Sequence, residues 1–172
     1  MLYQYMTLFN LNHLPKQQLI EELFKCCGST AWVNKMLTVF PVEDFIDLTE
    51  DAEEKWYECT EEDWKEAFSY HPEIGDIDSL KKKLNSTVQW AAGEQSGINE
   101  ASAKTLQQFA EGNKTYKEKF GYIFIVSATG RSAEEMVVIL QSRLSNDPKE
   151  EIEIAAEEQN MITKIRLEKL LQ

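Results

Sequence analysis

The sequence predicts an all-α protein, a single compact domain of about eight or nine helices spanning residues 1–172. Apolar residues recur at three- and four-residue spacing in one segment after another, opened by Pro, Ser, Thr or Asp and closed by Gly or Pro. Against these stands one strand-like run, Gly121 to Ser127, with no partner strand in the chain. A chain of this length can bury about 70% of its unfolded surface in one core.

Taken in order, Pro15 opens a helix over about 15–27 that carries Leu19, Ile20, Leu23 and Phe24 and stops at Gly28. Ser29 caps a second, with Trp32, Val33, Met36, Leu37 and Phe40 turned inward until Pro41. A short helix or turn over about 42–48 follows, and Thr49 then opens a helix whose first turn is acidic, Glu50 to Glu54. Thr60 with Glu61, Glu62 and Asp63 caps the next, which runs through Trp64, Ala67 and Phe68 to Tyr70. His71-Pro72 must then leave helical geometry, because the proline ring crowds an αR residue before it.

Asp76 and Asp78 open a short segment with Leu80 and Leu84 inward, and Ser86 or Thr87 starts a helix bearing Trp90, Glu94 and Gln95. Ser96 or Asn99 begins another, through Ala103, Leu106, Phe109 and Ala110, expected to end near Gly112-Asn113, with Tyr116 and Phe120 on a further turn. Residues 121–127 read as buried extended chain or helix. Ser132 with Glu135 forms a capping box before Met136, Ile139, Leu140 and Leu144, and Asn146-Asp147-Pro148 starts the last helix, through Ile152, Ala156, Ile162 and Ile165 to Leu170.

Thirty Asp and Glu against 18 Lys and Arg give a formal charge of −12, which disfavours nucleic acid and anionic membrane surfaces as partners. An anionic small molecule would need local positive charge, which draws attention to Arg131, Arg143 and Arg166. Cys26, Cys27 and Cys59 form neither a CxxC pair nor a disulfide framework, so a reducing compartment fits. No run approaches a membrane span and no basic leader precedes an apolar stretch, so the expected location is the cytoplasm.

Only His13 and His71 supply imidazoles, which excludes a multi-histidine metal site; an acidic oxygen-ligand site stays open. The chain has no GxSxG elbow, phosphate loop, HExxH or dinucleotide fingerprint. His71, fixed before a proline at a helix exit, either transfers protons near neutrality or merely hydrogen-bonds at the helix end. Glu94 and Gln95 either enter a cavity beside Trp90 as acid/base and amide anchor or lie in solvent, and Arg166 either binds an anion or forms an ion pair. The four tryptophans fit a core better than a ligand platform.

Across nearly the whole chain, the landmarks Cys26-Cys27-Gly28-Ser29 with Trp32, His71-Pro72-Glu73-Ile74-Gly75, Glu94-Gln95, Phe120 to Ile125, Ser132 to Glu135, Arg143-Leu144 and Ile165-Arg166-Leu167 keep a characteristic order and spacing. Together they resemble the 2-oxo-4-hydroxy-4-carboxy-5-ureidoimidazoline (OHCU) decarboxylase family. The resemblance implies an all-α, cofactor-free, commonly dimeric enzyme that converts the ureidoimidazoline to (S)-allantoin and carbon dioxide, functionally linked to hydroxyisourate hydrolase. It places the catalytic pair on His71 and Glu94, and substrate contacts on Pro72, Gln95, the backbone of Tyr122, Ile123, Phe124 and Ile125, and Arg166; no metal is assigned. Ala91 departs from the pattern, since relatives often carry serine three residues before the glutamate. Two rivals from other classes are a cofactor-free hydrolase of a related cyclic ureide, using the same pair to activate water, and a non-catalytic acidic helical interaction module.

Overall fold

A computed structural model describes residues 6–71 and 103–171, and among them there are eight helices and no strand. The helices are α1 (Leu8–Asn12), α2 (Lys16–Cys26), α3 (Thr30–Met36), α4 (Phe45–Tyr57), α5 (Glu61–Ser69), α6 (Ala103–Phe120), α7 (Ala133–Arg143) and α8 (Pro148–Leu170). The all-α expectation therefore holds, and most helices begin where a capping side chain offers an acceptor to the otherwise unpaired first-turn N–H groups. Ser29 accepts from the Trp32 N–H, and Thr60 with Asp63 and Ser132 with Glu135 form reciprocal capping boxes.

α3 ends at Met36, short of the expected stop at Pro41, leaving Leu37 and Phe40 only half-buried, and three other boundaries differ from the sequence-based expectation. Thr7 opens α1, which was not anticipated, because its partner in the capping box is Asn10 rather than Glu or Gln. Asp44, not Thr49, starts α4: its carboxylate accepts from both Ile46 N at 2.7 Å and Asp47 N at 2.9 Å, merging the expected turn and helix into one element. Thr49 lies inside that helix and returns its hydroxyl to the Ile46 carbonyl. The third is α6, which runs straight through Gly112-Asn113. Gly112 is there for contact rather than termination, since a Cβ at this position would stand 2.6 Å from Leu140 Cδ2 of α7.

The chain divides into two compact units, residues 1–70 with 156–172 and residues 71–155. In the first, Leu11, Leu23, Trp32, Met36, Leu48, Trp56 and Phe68 are fully buried. Its indoles satisfy their N–H groups on backbone carbonyls: Trp32 Nε1 donates to Ala52 at 2.9 Å, Trp56 Nε1 to Ala156 at 2.9 Å and Trp64 Nε1 to Trp56 at 3.0 Å. Trp32 and Trp56 thus serve the core, as expected, while Trp64 is only half-buried; Trp90 lies outside the described residues. Burying an aromatic of this size with its polar edge paired contributes about 3 kcal/mol or more.

The second unit is built on α6, α7 and the start of α8, with Tyr116, Phe124, Ile125, Met136 and Leu140 in its core. The strand-like run is neither helix nor ladder: residues 123–128 are irregular, with Tyr122, Phe124 and Ile125 buried. Its aromatic side chains are drawn onto α6, where the Phe124 ring meets those of Tyr116 at 5.3 Å and Phe109 at 6.1 Å. Aromatic and β-branched residues here serve burial, not strand pairing.

Candidate active site

His71 follows α5, and the end of α5 is held in place from two sides. Tyr70, the C-cap, donates its N–H to the Ala67 and Phe68 carbonyls and sets its ring edge-on to Phe24 of α2, centroids 4.8 Å apart. Its Cβ lies where a Cβ on Gly28 would fall, a separation of 2.7 Å. Only glycine lets α5 end so close to the α2–α3 junction. One turn earlier, Glu66 grips the start of α3 with both oxygens, accepting from Thr30 N at 2.9 Å and Thr30 Oγ1 at 2.7 Å. His71 itself is half-buried.

Arg166 on α8 addresses the same end of α2. Its Nη1 donates to the carbonyl of Cys26 at 3.2 Å and, more weakly, to that of Lys25 at 3.5 Å. These are carbonyls that the last turn of α2 leaves without helical partners, and a guanidinium there also opposes the helix dipole. Burial lowers the Arg166 pKa, with the neighbouring thiols acting in the opposite sense, and the group keeps its charge at neutral pH. Cys26 and Cys27 beside it are sealed neutral: burial pushes both thiols up from 9.0 to about 12, and the Arg166 charge offsets only part of this.

The structure therefore brings Tyr70, the residue before His71, and Arg166 to one helix end, the C-terminus of α2. Tyr122, Ile123, Phe124 and Ile125 lie in the second unit, and Arg166 in the first. Pro72, Glu94 and Gln95, with Ala91, lie outside the described residues. His13 is committed elsewhere, its Nδ1–H donating to the Phe9 carbonyl at 2.7 Å with the two rings 4.2 Å apart. A cavity of about 440 Å³ between α2 and α3, lined by Leu14, Lys16, Leu19, Asn34, Leu37 and Thr38, contains none of the candidate residues. Among the described residues no three His, Cys, Asp or Glu side chains gather in metal-ligating geometry, and no helix is long and apolar enough to cross a membrane.

Sequence reasoning missed one cluster. Arg143 of α7 is buried with Glu151 of α8 and Tyr116 of α6 against Ile125. In the sequence Arg143 is one of three arginines and part of the Arg143-Leu144 landmark, with nothing to indicate its partners, and Glu151 has no signal among 30 acidic residues.

Solved structures share this all-helical fold. A crystal structure of OHCU decarboxylase in the presence of (S)-allantoin superposes with a TM-score of 0.73 at 39% identity, covering 88% of this chain and 97% of that one. A crystal structure of (S)-allantoin synthase shares the fold, with a TM-score of 0.71 at 16% identity over 96% of this chain and 54% of that one. The OHCU decarboxylase family model matches residues 12–168. The chain belongs to the OHCU decarboxylase family.

Among its relatives, the uric acid degradation bifunctional protein TTL of Arabidopsis thaliana is 38% identical over 146 residues, 84% of this chain and 45% of that protein. The 2-oxo-4-hydroxy-4-carboxy-5-ureidoimidazoline decarboxylase of Amia calva is 30% identical over 102 residues, 59% of this chain and 58% of the relative. The chain thus matches about half the length of each of these two relatives.

Proposed function

We propose that this chain, acting as one domain over residues 1–172, decarboxylates 2-oxo-4-hydroxy-4-carboxy-5-ureidoimidazoline to (S)-allantoin and carbon dioxide in urate degradation. The observation that supports this most is the convergence of Arg166 and the residue before His71 on the C-terminal end of α2, in a chain of this family. An anion-holding group and a proton-transfer group are what the reaction requires.

When carbon dioxide leaves, its bonding electrons remain on the ring carbon, and the adjacent carbonyl and imine system of the substrate delocalises them. The substrate is its own electron sink, so the protein's tasks are orientation and delivery of one proton to one face. His71 handles the hydroxyl proton or the protonation of the ring carbon, and Glu94 orients the imidazole and the ureido group. Arg166 holds the carboxylate or a ureido oxygen with guanidinium N–H groups other than those of Nη1, which α2 occupies. Pro72, the Gln95 amide and the backbone of Tyr122 to Ile125 complete the substrate contacts. The working form is a homodimer in the cytoplasm, fed by hydroxyisourate hydrolase; relatives described as bifunctional in uric acid degradation support a second activity acting nearby.

The test generates the substrate in situ from urate with the two preceding enzymes and follows allantoin by circular dichroism. Spontaneous decay gives a racemate, so added protein is expected to produce the optical activity of one enantiomer, together with faster release of carbon dioxide. His71→Ala is expected to slow both by at least about a hundredfold. Wild-type protein that adds no optical activity refutes the function, and a His71→Ala protein as fast as wild type refutes the assignment of the acid/base role.

A further inference from the structure

The second unit encloses a charged network at its centre. Arg143 is 4% exposed, and Glu151 and Tyr116 are fully buried. Arg143 Nε donates to Glu151 Oε1 at 2.7 Å, and Nη2 stands 2.6 Å from the same oxygen. The Tyr116 hydroxyl also donates to Oε1, while Asn146 Nδ2 donates to Oε2 at 2.8 Å. Arg143 Nη1 reaches the Ile125 carbonyl at 2.9 Å, and the guanidinium carbon lies 4.7 Å from the centre of the Phe124 ring. Every nitrogen of the guanidinium is thereby used.

A buried ion pair is a poor device for stability alone, because desolvating both charges offsets most of their attraction. It does have a geometric use. Residues 123–128 form no helix or ladder to fix the direction of their peptide groups. A planar guanidinium locked on two edges and stacked on Phe124 fixes where the Ile125 carbonyl points, and with it the peptide groups on either side. An aliphatic side chain would fill the same space without doing so.

We propose that Arg143 is a positioning residue for substrate recognition, holding the Tyr122–Ile125 backbone, through its pair with Glu151 and Tyr116, in the conformation that receives the ureidoimidazoline. This rests on the assignment of that backbone as a substrate contact. The residue works before the substrate arrives, by removing the ordering cost from the binding step.

Arg143→Lys keeps the charge facing Glu151 but loses the fork. It is expected to raise KM about tenfold with kcat within about twofold of wild type. Tyr116→Phe, which leaves the Arg143–Ile125 bond in place, is expected to lower the melting temperature while moving KM less than about threefold. An Arg143→Lys protein that melts earlier but keeps the wild-type KM overturns the proposal. Should that variant not fold, hydrogen exchange on the wild type decides: amides 123–126 are expected to be protected already without ligand, with any further protection on adding (S)-allantoin small beside that. Protection that arises only with allantoin overturns it. Amide chemical shifts separate the two levels. If those of residues 122–125 ignore (S)-allantoin in the wild type, the substrate contact itself is wrong; if they respond at the same concentration in wild type and Arg143→Lys, only the positioning role fails.

Discussion

Arg166 Nη1 donates to the Cys26 carbonyl at 3.2 Å, so the guanidinium proposed to hold the substrate anion is also the C-terminal cap of α2. Removing it should therefore act twice. Arg166→Ala is expected to cost about 2 kcal/mol of folding stability in urea titration, from the lost charged hydrogen bond and helix-end interaction. Arg166→Lys keeps the charge near the helix end and should recover about half of that, yet still raise KM, because an ammonium cannot serve the carbonyls and an anion in two fixed directions. Equal KM values for Arg166→Lys and wild type would remove Arg166 from the substrate site.

The contact of Gly28 with Tyr70 leaves no room for a methyl group. Tyr70 Cβ is close to the backbone, so Gly28→Ala must displace the end of α5 rather than a mobile side-chain tip. We expect a loss of about 1–3 kcal/mol. Because His71 is the next residue, kcat should fall in the folded fraction as well. Gly112→Ala is the comparison: it meets the end of the Leu140 side chain, which can turn away, and lies far from residue 71 in sequence. Its kcat should stay near wild type while its stability falls.

Glu66 reaches across from α5 to cap α3, accepting from both Thr30 N and Thr30 Oγ1. Glu66→Ala leaves those donors to solvent and should cost about 1 kcal/mol, measured by thermal or urea unfolding. Thr30→Ala removes one of the two bonds. The double variant should lose less than the sum of the singles, since both act on one cap.

Alkaline pH should unfold the protein earlier than its acidic groups would suggest. Burial raises the Cys26 and Cys27 thiols from 9.0 to about 12, Cys59 to about 11, and the Tyr116 hydroxyl upward from its usual value. The folded state thus holds protons that the unfolded chain gives up, so this contribution is complete below pH 9 and is lost as pH rises toward 12. Each such thiol steepens the fall by up to about 1.4 kcal/mol per pH unit. Urea midpoints followed from pH 8.5 upward should decline, and Cys27→Ala should flatten the decline; an unchanged slope would count against a sealed thiol. In native protein at neutral pH all three cysteines should react slowly with thiol reagents and quickly once unfolded.

Local chemistry explains which features the sequence disclosed. Ser29, Thr60 with Asp63, and Ser132 with Glu135 announce helix starts because both partners of the cap lie within three residues. The end of α5 just before His71 is legible because a proline follows His71 in the sequence. Asp44 and Gly112 were misjudged because each residue type has two uses, and what chose between them was not local: Asp44 outranked Thr49 as a cap, and Gly112 answers to Leu140 in another helix. In the sequence Arg166 reads as an anion holder or ion-pair partner, but its role at the end of α2 connects residues 140 apart. Likewise, Tyr116 and Glu151 are 35 residues apart, and no periodicity marks such a meeting.

The charged centre around Arg143 has a consequence for anyone who would make this protein sturdier. Replacing Arg143, Glu151 and Tyr116 together by Met, Leu and Phe removes the desolvation cost and leaves a greasy interior of similar volume, which should tolerate heat as well as or better than the natural chain. The same exchange would release the Ile125 carbonyl. On the positioning role proposed for Arg143, selection for heat resistance alone would favour variants that survive longer and recognise their substrate less, so a screen must score turnover alongside survival at this one spot.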